Sequence, residues 1–400
     1  MNGASHTETS LVSDSADVTV HQEETFGLGV YARRGLVLVR GENAFVWDAG
    51  GRRYIDCIAG HGSANIGHAH PAVTTAVVAQ SMRLLACSNV FYNDIRGEYL
   101  RLLLTVAPAG LRRAFLCNSG AETIEAAIKF ARHVTGRVEI ISTFRAFHGR
   151  TLGALSATHN PAYRNGFGPL LPGVTFVPYN DSAALEKAVS AETAAVMLEI
   201  VQGEGGVHVG TREFLSDAAR LCAARGALLI IDEVQTGFGR TGRLFACEHF
   251  DLAPDILCLA KSIAGGLPMG AVLCSERITM PPGSHGSTFG GNPLCCAAAH
   301  ATLQFLLSED VPKAAEEKGV YLGEILGGLK SPRIREIRRL GLMVGIDLRE
   351  KVKPYIKMLQ EAGVLALPAG PTVLRLLPPL TIGYAELDRV GEALREVLDS

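Results

Sequence analysis

The run Leu228-Leu229-Ile230-Ile231-Asp232-Glu233-Val234-Gln235 is apolar until it ends abruptly in two acids. A short apolar run bounded by turn chemistry predicts a strand buried on both faces of a mainly parallel sheet. Asp232 would then emerge at the carboxyl end of that strand, where open α/β sheets place their ligands. An acid there is seldom buried without a partner, so it asks for a cation. The next run of the same form, Ile256-Leu257-Cys258-Leu259-Ala260, leads straight into Lys261. An acid and a lysine on neighbouring strand ends suit pyridoxal phosphate. That cofactor needs a lysine amine to hold its aldehyde and a carboxylate to keep its ring nitrogen protonated. A structural ion pair between Asp232 and Lys261 explains the same residues, and the pair alone does not choose between the two.

Three further stretches could serve such a site. In Asn118-Ser119-Gly120-Ala121-Glu122-Thr123 a strand runs into a helix, with Ile124, Ala127, Ile128 and Ala131 following at helical spacing and Gly136 able to end it. Ser119 with Glu122 fits a capping box, while Gly120 leaves backbone N–H groups at a helix start, a ready phosphate site; the two roles are compatible. Phe147-His148-Gly149-Arg150-Thr151 offers an aromatic that can stack on a flat ring and a guanidinium fork for a carboxylate. By itself this stretch reads equally as a loop with a solvated arginine. In Glu199-Ile200-Val201-Gln202-Gly203-Glu204-Gly205-Gly206 the glycines permit close backbone approach and the acids can pair with an arginine, or the stretch is a tight turn. Arg375 lies within the apolar run Val373-Leu374-Arg375-Leu376-Leu377, where a charge is costly unless it meets a partner. Two arginines facing one pocket would suit a dicarboxylate such as glutamate or 2-oxoglutarate.

Some patterns mislead. Gly237-Phe238-Gly239-Arg240-Thr241-Gly242 matches a dinucleotide-binding GxGxxG, yet Gln235 and Thr236 separate it from the strand and no amphipathic helix opens from it. It is expected to be a loop. Lys261-Ser262 lacks the glycines of a P-loop. His68 and His70 precede Pro71 at a helix entry and have no further ligand cluster, so no metal is expected.

The elements that must position these residues follow from the rhythm of the chain. At 400 residues it can hold two domains, and 20% charged with 48% apolar residues suits a soluble globular enzyme. A net charge of −2 without a dense basic block leaves no footprint for nucleic acid, and no apolar run reaches the ~20 residues of a membrane helix. Nine scattered cysteines without a CxxC pair predict free thiols in a reducing, cytoplasmic compartment. Residues 1–22, rich in Ser, Thr, Asp and Glu, predict a mobile tail. Residues 23–67 hold a small antiparallel unit built on Leu36–Arg40, Ala44–Asp48 and Tyr54–Ile58. Over 68–300, helices alternate with the strand candidates Ala114–Asn118, Val138–Thr143, Val174–Pro178, Ala195–Val201, Ala227–Val234, Asp255–Ala260 and Ala271–Ser275. That alternation predicts a large α/β domain around a mainly parallel sheet. Residues 301–400, with strands at Leu342–Leu348, Val364–Leu367 and Val373–Leu376, predict a smaller α+β domain.

The ordered motifs SGAET, FHGRT, QGEGG, DEVQTGFGRTG, LAKSIAGGLPMGA and GSTFGGNP resemble the class-III, ornithine-type, pyridoxal-phosphate aminotransferases from about residue 30 onward. The resemblance implies fold type I: a large domain with a mainly parallel central sheet, plus a smaller α+β domain from the N- and C-terminal segments. It also implies a homodimer. Lys261 would hold the cofactor and move a proton between substrate carbons, Asp232 would pair with the ring nitrogen, Gln235 would meet the ring hydroxyl, and Phe147 would stack on the ring. Ser119, Gly120 and Ala121 would hold the phosphate with Thr288 of the other subunit, and Glu233 and Val234 would complete the cofactor-binding set. Arg150 and Ser287 would contact substrate. Arg375 would bind a glutamate carboxylate, with Glu204 as the gate that occupies Arg375 when a distal-amine substrate enters.

Within the class, the chain resembles the acetylornithine aminotransferases, and more closely the enzymes of the aminoadipate lysine route, whose substrate rides on a small acidic carrier protein. The segments 57–65, 331–336 and 367–375 carry that preference. Ile200 stands where the class has proline, and His61 where the lysine-route enzymes have an aromatic. The implied reaction moves an amino group between glutamate/2-oxoglutarate and carrier-linked 2-aminoadipate semialdehyde, with N-acetylornithine transamination as the alternative. A nicotinamide dehydrogenase would rest on the displaced GxGxxG alone. A non-catalytic binding protein would leave the lysine, aspartate and both arginines without a use. Lys351, Lys353 and Lys357 could border a carrier-docking surface, or be a solvated face.

Overall fold

A computed structural model describes residues 5–399. The N-terminal strands β1 (Leu38–Glu42), β2 (Phe45–Asp48) and β3 (Arg53–Asp56) form an antiparallel meander. The central sheet contains β4 (Leu111–Cys117), β5 (Glu139–Thr143), β6 (Val174–Val177) and β7 (Thr193–Glu199). A two-strand hairpin, β8 (Val201–Gln202) and β9 (His208–Val209), interrupts before the sheet resumes with β10 (Leu228–Asp232), β11 (Ile256–Leu259) and β12 (Gly270–Ser275). Across the sheet the order is β4-β12-β11-β10-β7-β5-β6, with only β12 reversed against its neighbours. Each of the seven apolar runs marked in the sequence lies in this sheet. The run expected to reach Val201 breaks at Ile200, because the chain turns there into the hairpin.

Alternation along β10 explains why the strand had to be apolar throughout. Leu228 and Ile230 enter one core cluster, with Met197 and Ile256, beneath the helix Gly120–Thr135 and its Ile124, Ala127, Ile128 and Ala131. Leu229 and Ile231 enter the other, with Val196, Leu198 and Leu257, against Phe214 and Leu215 of the helix Arg212–Arg225. Each such side chain contributes about 1.5–3 kcal/mol on burial, which holds the strand end, and therefore Asp232, in register.

The remaining strands are β13 (Ile334–Leu340), β14 (Met343–Leu348), β15 (Val364–Leu365), β16 (Leu367–Ala369) and β17 (Val373–Leu376). Four of them form a sheet of order β13-β14-β17-β16, while β15 adds in parallel to β3, pairing Val364 with Ile55. N- and C-terminal segments thus share one sheet. The molecule is α/β with a mostly parallel central sheet and helices on both of its faces.

Three features differ from expectation. Ser5–Phe26 form a helix where a mobile tail is expected over 1–22; none of the side chains from 16 to 26 is buried, so apolar periodicity could not announce it. Residues 1–4 lie outside the described residues. The expected domain boundary at 300 falls inside the helix Pro293–Ser308, which packs on the helices Pro71–Ser81 and Asp94–Thr105. Strand β13 is unexpected because Arg335, Glu336, Arg338 and Arg339 interrupt its pattern; it is an edge strand, where charged side chains reach solvent.

Candidate active site

Parallel pairing fixes the chemistry at the strand ends. Asp232 lies in register with Glu199 of β7 on one side and Cys258 of β11 on the other. Lys261 follows β11 at φ 44°, a left-handed conformation that a non-glycine residue holds at a cost of about 1–3 kcal/mol. Such strain persists where the surroundings over-determine a side chain's direction. Lys261 and Asp232 line one cavity of about 540 Å³ together with Ser119, Gly120, Ala121, Phe147, Arg150, Glu204, Val234 and Gln235. Burial holds the Lys261 amine below its ordinary value, with Arg375 adding to the effect and Glu204, Asp232 and Glu199 opposing it.

Asp232 is buried and accepts twice: Oδ2 from His148 Nδ1 at 2.8 Å and Oδ1 from the Val234 N–H at 2.9 Å. Burial works against the His148 imidazolium, but the bond to Asp232, the Asp232 charge and Glu199 together outweigh it and raise His148 above its usual range. At the start of the helix Gly120–Thr135, Ser119 Oγ accepts the Glu122 N–H at 3.2 Å. The Glu122 carboxylate reaches back to the Asn118 N–H and not to that of Ser119, so the capping box is displaced by one residue. The N–H groups of Gly120 and Ala121 then have no helical partner. A Cβ on Gly120 would lie 2.7 Å from Val234 Cγ1, so only glycine brings the helix start this close to the strand end. An amine, a carboxylate fixed from behind, an aromatic and a helix start with open N–H groups are the donor set that pyridoxal phosphate requires, and the residues fit it.

Behind the lining residues Glu204 and Gln235, Arg375 is almost fully buried on β17. Its Nη2 donates to Glu204 Oε1 at 2.6 Å and its Nη1 to Gln235 Oε1 at 3.1 Å. Burial opposes ionisation of Glu204, but the guanidinium prevails and holds the carboxyl below its ordinary value. Arg150 is exposed, with its guanidinium 3.9 Å over the Tyr163 ring and 5.6 Å from that of Phe147.

Two residues expected in this cavity, Glu233 and Ser287, stand elsewhere. Glu233 points away from the cavity and accepts the N–H groups of Ala246 at 2.6 Å and Cys247 at 2.8 Å; burial pushes it up to about 7. Next to Asp232 in sequence, it belongs to the opposite side of the chain. Ser287 and Thr288 line a second cavity, of about 830 Å³, beside Asn89 and Phe289, and Ser287 Oγ accepts from Asn118 Nδ2 at 3.0 Å. The decoy glycines form a loop around Arg240, which is wholly buried and donates to Asn65 Oδ1, Leu342 O and Pro378 O. Burial alone lowers Arg240 to about 9. His70 caps the helix Pro71–Ser81 and His68 bonds Asp56. Lys351, Lys353 and Lys357 are exposed, and Lys357 faces Glu361.

Sequence reasoning assigned no role to His148 or Tyr31, both of which line the cavity, and expected an arginine beside the acids of 199–204. That holds for Glu204. Glu199 instead accepts two backbone N–H groups and lies beside His148. It could have been found, since Glu199, like Asp232, ends an apolar run. Nothing local marks His148, which is remote from Asp232 in sequence.

The class-III aminotransferase family pattern matches residues 30–398. The LysW-aminoadipate semialdehyde transaminase of Deinococcus radiodurans is 48% identical over 383 residues, covering 94% of this chain and 89% of that protein. The acetylornithine aminotransferase of Methanopyrus kandleri is 46% identical over 381 residues, covering 94% and 97%. A solved ornithine aminotransferase from Toxoplasma gondii, with pyridoxal phosphate at partial occupancy in its active site, superposes with a TM-score of 0.90 at 35% identity, covering 96% of this chain and 94% of its own. The chain belongs to the class-III aminotransferases and is a transaminase.

Proposed function

We propose that this class-III aminotransferase binds pyridoxal phosphate in the Lys261 cavity and uses glutamate as amino donor for a terminal aldehyde, that of 2-aminoadipate semialdehyde linked to a small acidic carrier protein. The observation that carries the two-substrate reading is the ion pair between Glu204, which lines the Lys261 cavity, and the buried Arg375 behind it. A buried arginine there serves a substrate carboxylate, and an acid able to occupy it serves a substrate that brings none.

When bound, the cofactor supplies an aldehyde for the substrate amine and an electron sink for the carbon beside it. Asp232 would hold the proton at the ring nitrogen, and His148, donating through Nδ1, keeps Asp232 oriented. Lys261 Nζ, less basic than usual because it is buried, would take a proton from the amine-bearing substrate carbon and deliver it to the carbon that was the cofactor's aldehyde. Glutamate places a carboxylate on Arg375 by displacing Glu204; a distal-amine substrate leaves the pair closed. Gln235 holds Arg375 through Oε1, so its amide N–H₂ stays available to the ring hydroxyl.

The lysine-route substrate is supported by the 48% identity to the Deinococcus protein, and the acetylornithine alternative by the 46% identity to the Methanopyrus one. A homodimer is supported by the exposed apolar residues Val90 and Phe289, which line the second cavity, and by Phe91 and Tyr92, exposed next to Val90 in the chain. A second copy would cover them and carry Thr288 to its partner's phosphate. Nine free cysteines suit a reducing cytoplasm. The deciding experiment mixes yellow enzyme separately with carrier-linked lysine and with N-acetylornithine, following loss of cofactor absorbance. Faster bleaching by carrier-linked lysine supports the lysine route. Faster bleaching by N-acetylornithine moves the enzyme to the arginine route.

A further inference from the structure

One strand over from Asp232, β7 ends in an acid for which the chemistry above has no use. Glu199 is buried, and its two oxygens hold two different loops. Oε1 accepts the Phe147 N–H at 3.0 Å and Oε2 accepts the Gly203 N–H at 3.2 Å. The first loop carries the aromatic and His148. The second carries Glu204. Gly203 in turn lies so close to Gln235 that a Cβ there would be 1.9 Å from Gln235 Oε1, the atom that accepts from Arg375. The backbone at Gly203 therefore sets where Gln235 and Arg375 meet.

We propose that Glu199 is a positioning residue whose carboxylate clamps the aromatic loop to the gate loop, so that Phe147 and the Glu204–Arg375–Gln235 group keep one register. Only an ionised carboxylate suits both contacts. A glutamine has one acceptor oxygen and would aim its N–H₂ at the second N–H. The clamp itself is independent of the cofactor and substrates; its consequence for the gate rests on the reading above.

The groups facing Glu199 are His148 from the aromatic loop, Asp232 from β10, Lys261 after β11 and Tyr179 after β6, whose hydroxyl donates to the Glu199 carbonyl at 2.7 Å. Burial pushes Glu199 up to about 7 even though His148 and the two N–H groups favour its charge. A proton on one oxygen leaves a single good acceptor, so acidification loosens one side of the clamp.

Amide hydrogen exchange on the cofactor-free full chain tests this directly. In Glu199→Gln, exchange at Phe147 or Gly203 is expected to rise about tenfold or more, the scale of one lost bond to a charged group, while amides of β7 and β10 keep wild-type protection. Unchanged protection at both positions overturns the proposal, and so does a uniform rise that includes β7 and β10, which would mark a purely global stability role. The wild type gives a second measurement, which decides the matter if the variant does not fold. At pH 8 the wild-type Phe147 and Gly203 amides, both held by the Glu199 carboxylate, should be strongly protected relative to intrinsic exchange, and exchange at either one near the intrinsic rate overturns the clamp. In the loaded variant, the glutamate half-reaction should show a raised KM with kcat less affected. A change there without the exchange signature would count against Glu199 while leaving the substrate reading intact.

Discussion

Replacing Glu204 with glutamine removes the gate's charge while keeping its shape. Arg375 Nη2 and Glu204 Oε1 are 2.6 Å apart, and the guanidinium is only 1% exposed against 24% for the carboxylate, so little water screens the pair. A hydrogen bond to a charged partner is worth about 1.5–3 kcal/mol and a neutral one about 0.5–1.5, so Glu204→Gln forfeits roughly 1–2 kcal/mol of closed-gate stability. That is a factor of about 5–30. With a distal-amine substrate the gate must stay closed, so kcat/KM for that half-reaction should fall or hold. With glutamate the gate must open, so its half-reaction should improve or hold. The ratio of the two follows the open-to-closed equilibrium and therefore shifts about 5–30-fold toward glutamate. Single-turnover absorbance changes, recorded separately with glutamate and with each distal amine, measure both terms. Equal losses in the two halves, or a larger loss with glutamate, would refute the gating argument.

Lys261→Ala should lower turnover by at least about 10²–10⁴-fold, the scale of a positioned acid–base group, while cofactor still binds through its phosphate in equilibrium dialysis; full activity would remove the assigned proton carrier. Arg375→Ala should lower kcat/KM in the glutamate half-reaction by about 10–100-fold and affect the distal-amine half less, and identical losses would count against a glutamate-specific contact. Glu233 binds its proton up to about 7 in the folded chain but only to about 4.5 when free, so between those values the folded state holds more protons and stability falls as pH rises. Chemical denaturation of cofactor-free wild type and Glu233→Gln at pH 5 and pH 7.5 should show the wild type losing more on going to the higher pH; parallel changes would contradict the burial assigned to Glu233.

The central sheet was legible because buried parallel strands are apolar on both faces, and its seven runs stand out against amphipathic helices. The site was legible where acid, lysine or arginine interrupts such a run, as at Asp232 and Lys261 in the cavity and Arg375 behind it. What sequence could not reach were directions and distant partners. Glu233 and Asp232 are adjacent but face opposite ways, and a strand's alternation assigns the faces only once its register is known. His148 meets Asp232 through tertiary contact alone. Arg240 was hidden inside a misleading glycine pattern, although its burial makes it a hub between the N-terminal segment and the C-terminal strands. Strand β13 escaped because an edge strand need not alternate cleanly.

The pairing of β3 with β15 bears on how the chain comes off the ribosome. Ile55 receives its neighbour, Val364, only when nearly the whole polypeptide has been made. At typical elongation rates of about 5–20 residues per second, that edge stays open for on the order of tens of seconds. An early three-strand meander with a bare backbone edge is a template for another nascent chain. The exposed arginines Arg40, Arg52 and Arg53 along it act against such pairing by charge repulsion until the last hundred residues arrive. Nascent-chain vulnerability of this enzyme should therefore concentrate at its beginning and be relieved only at its end.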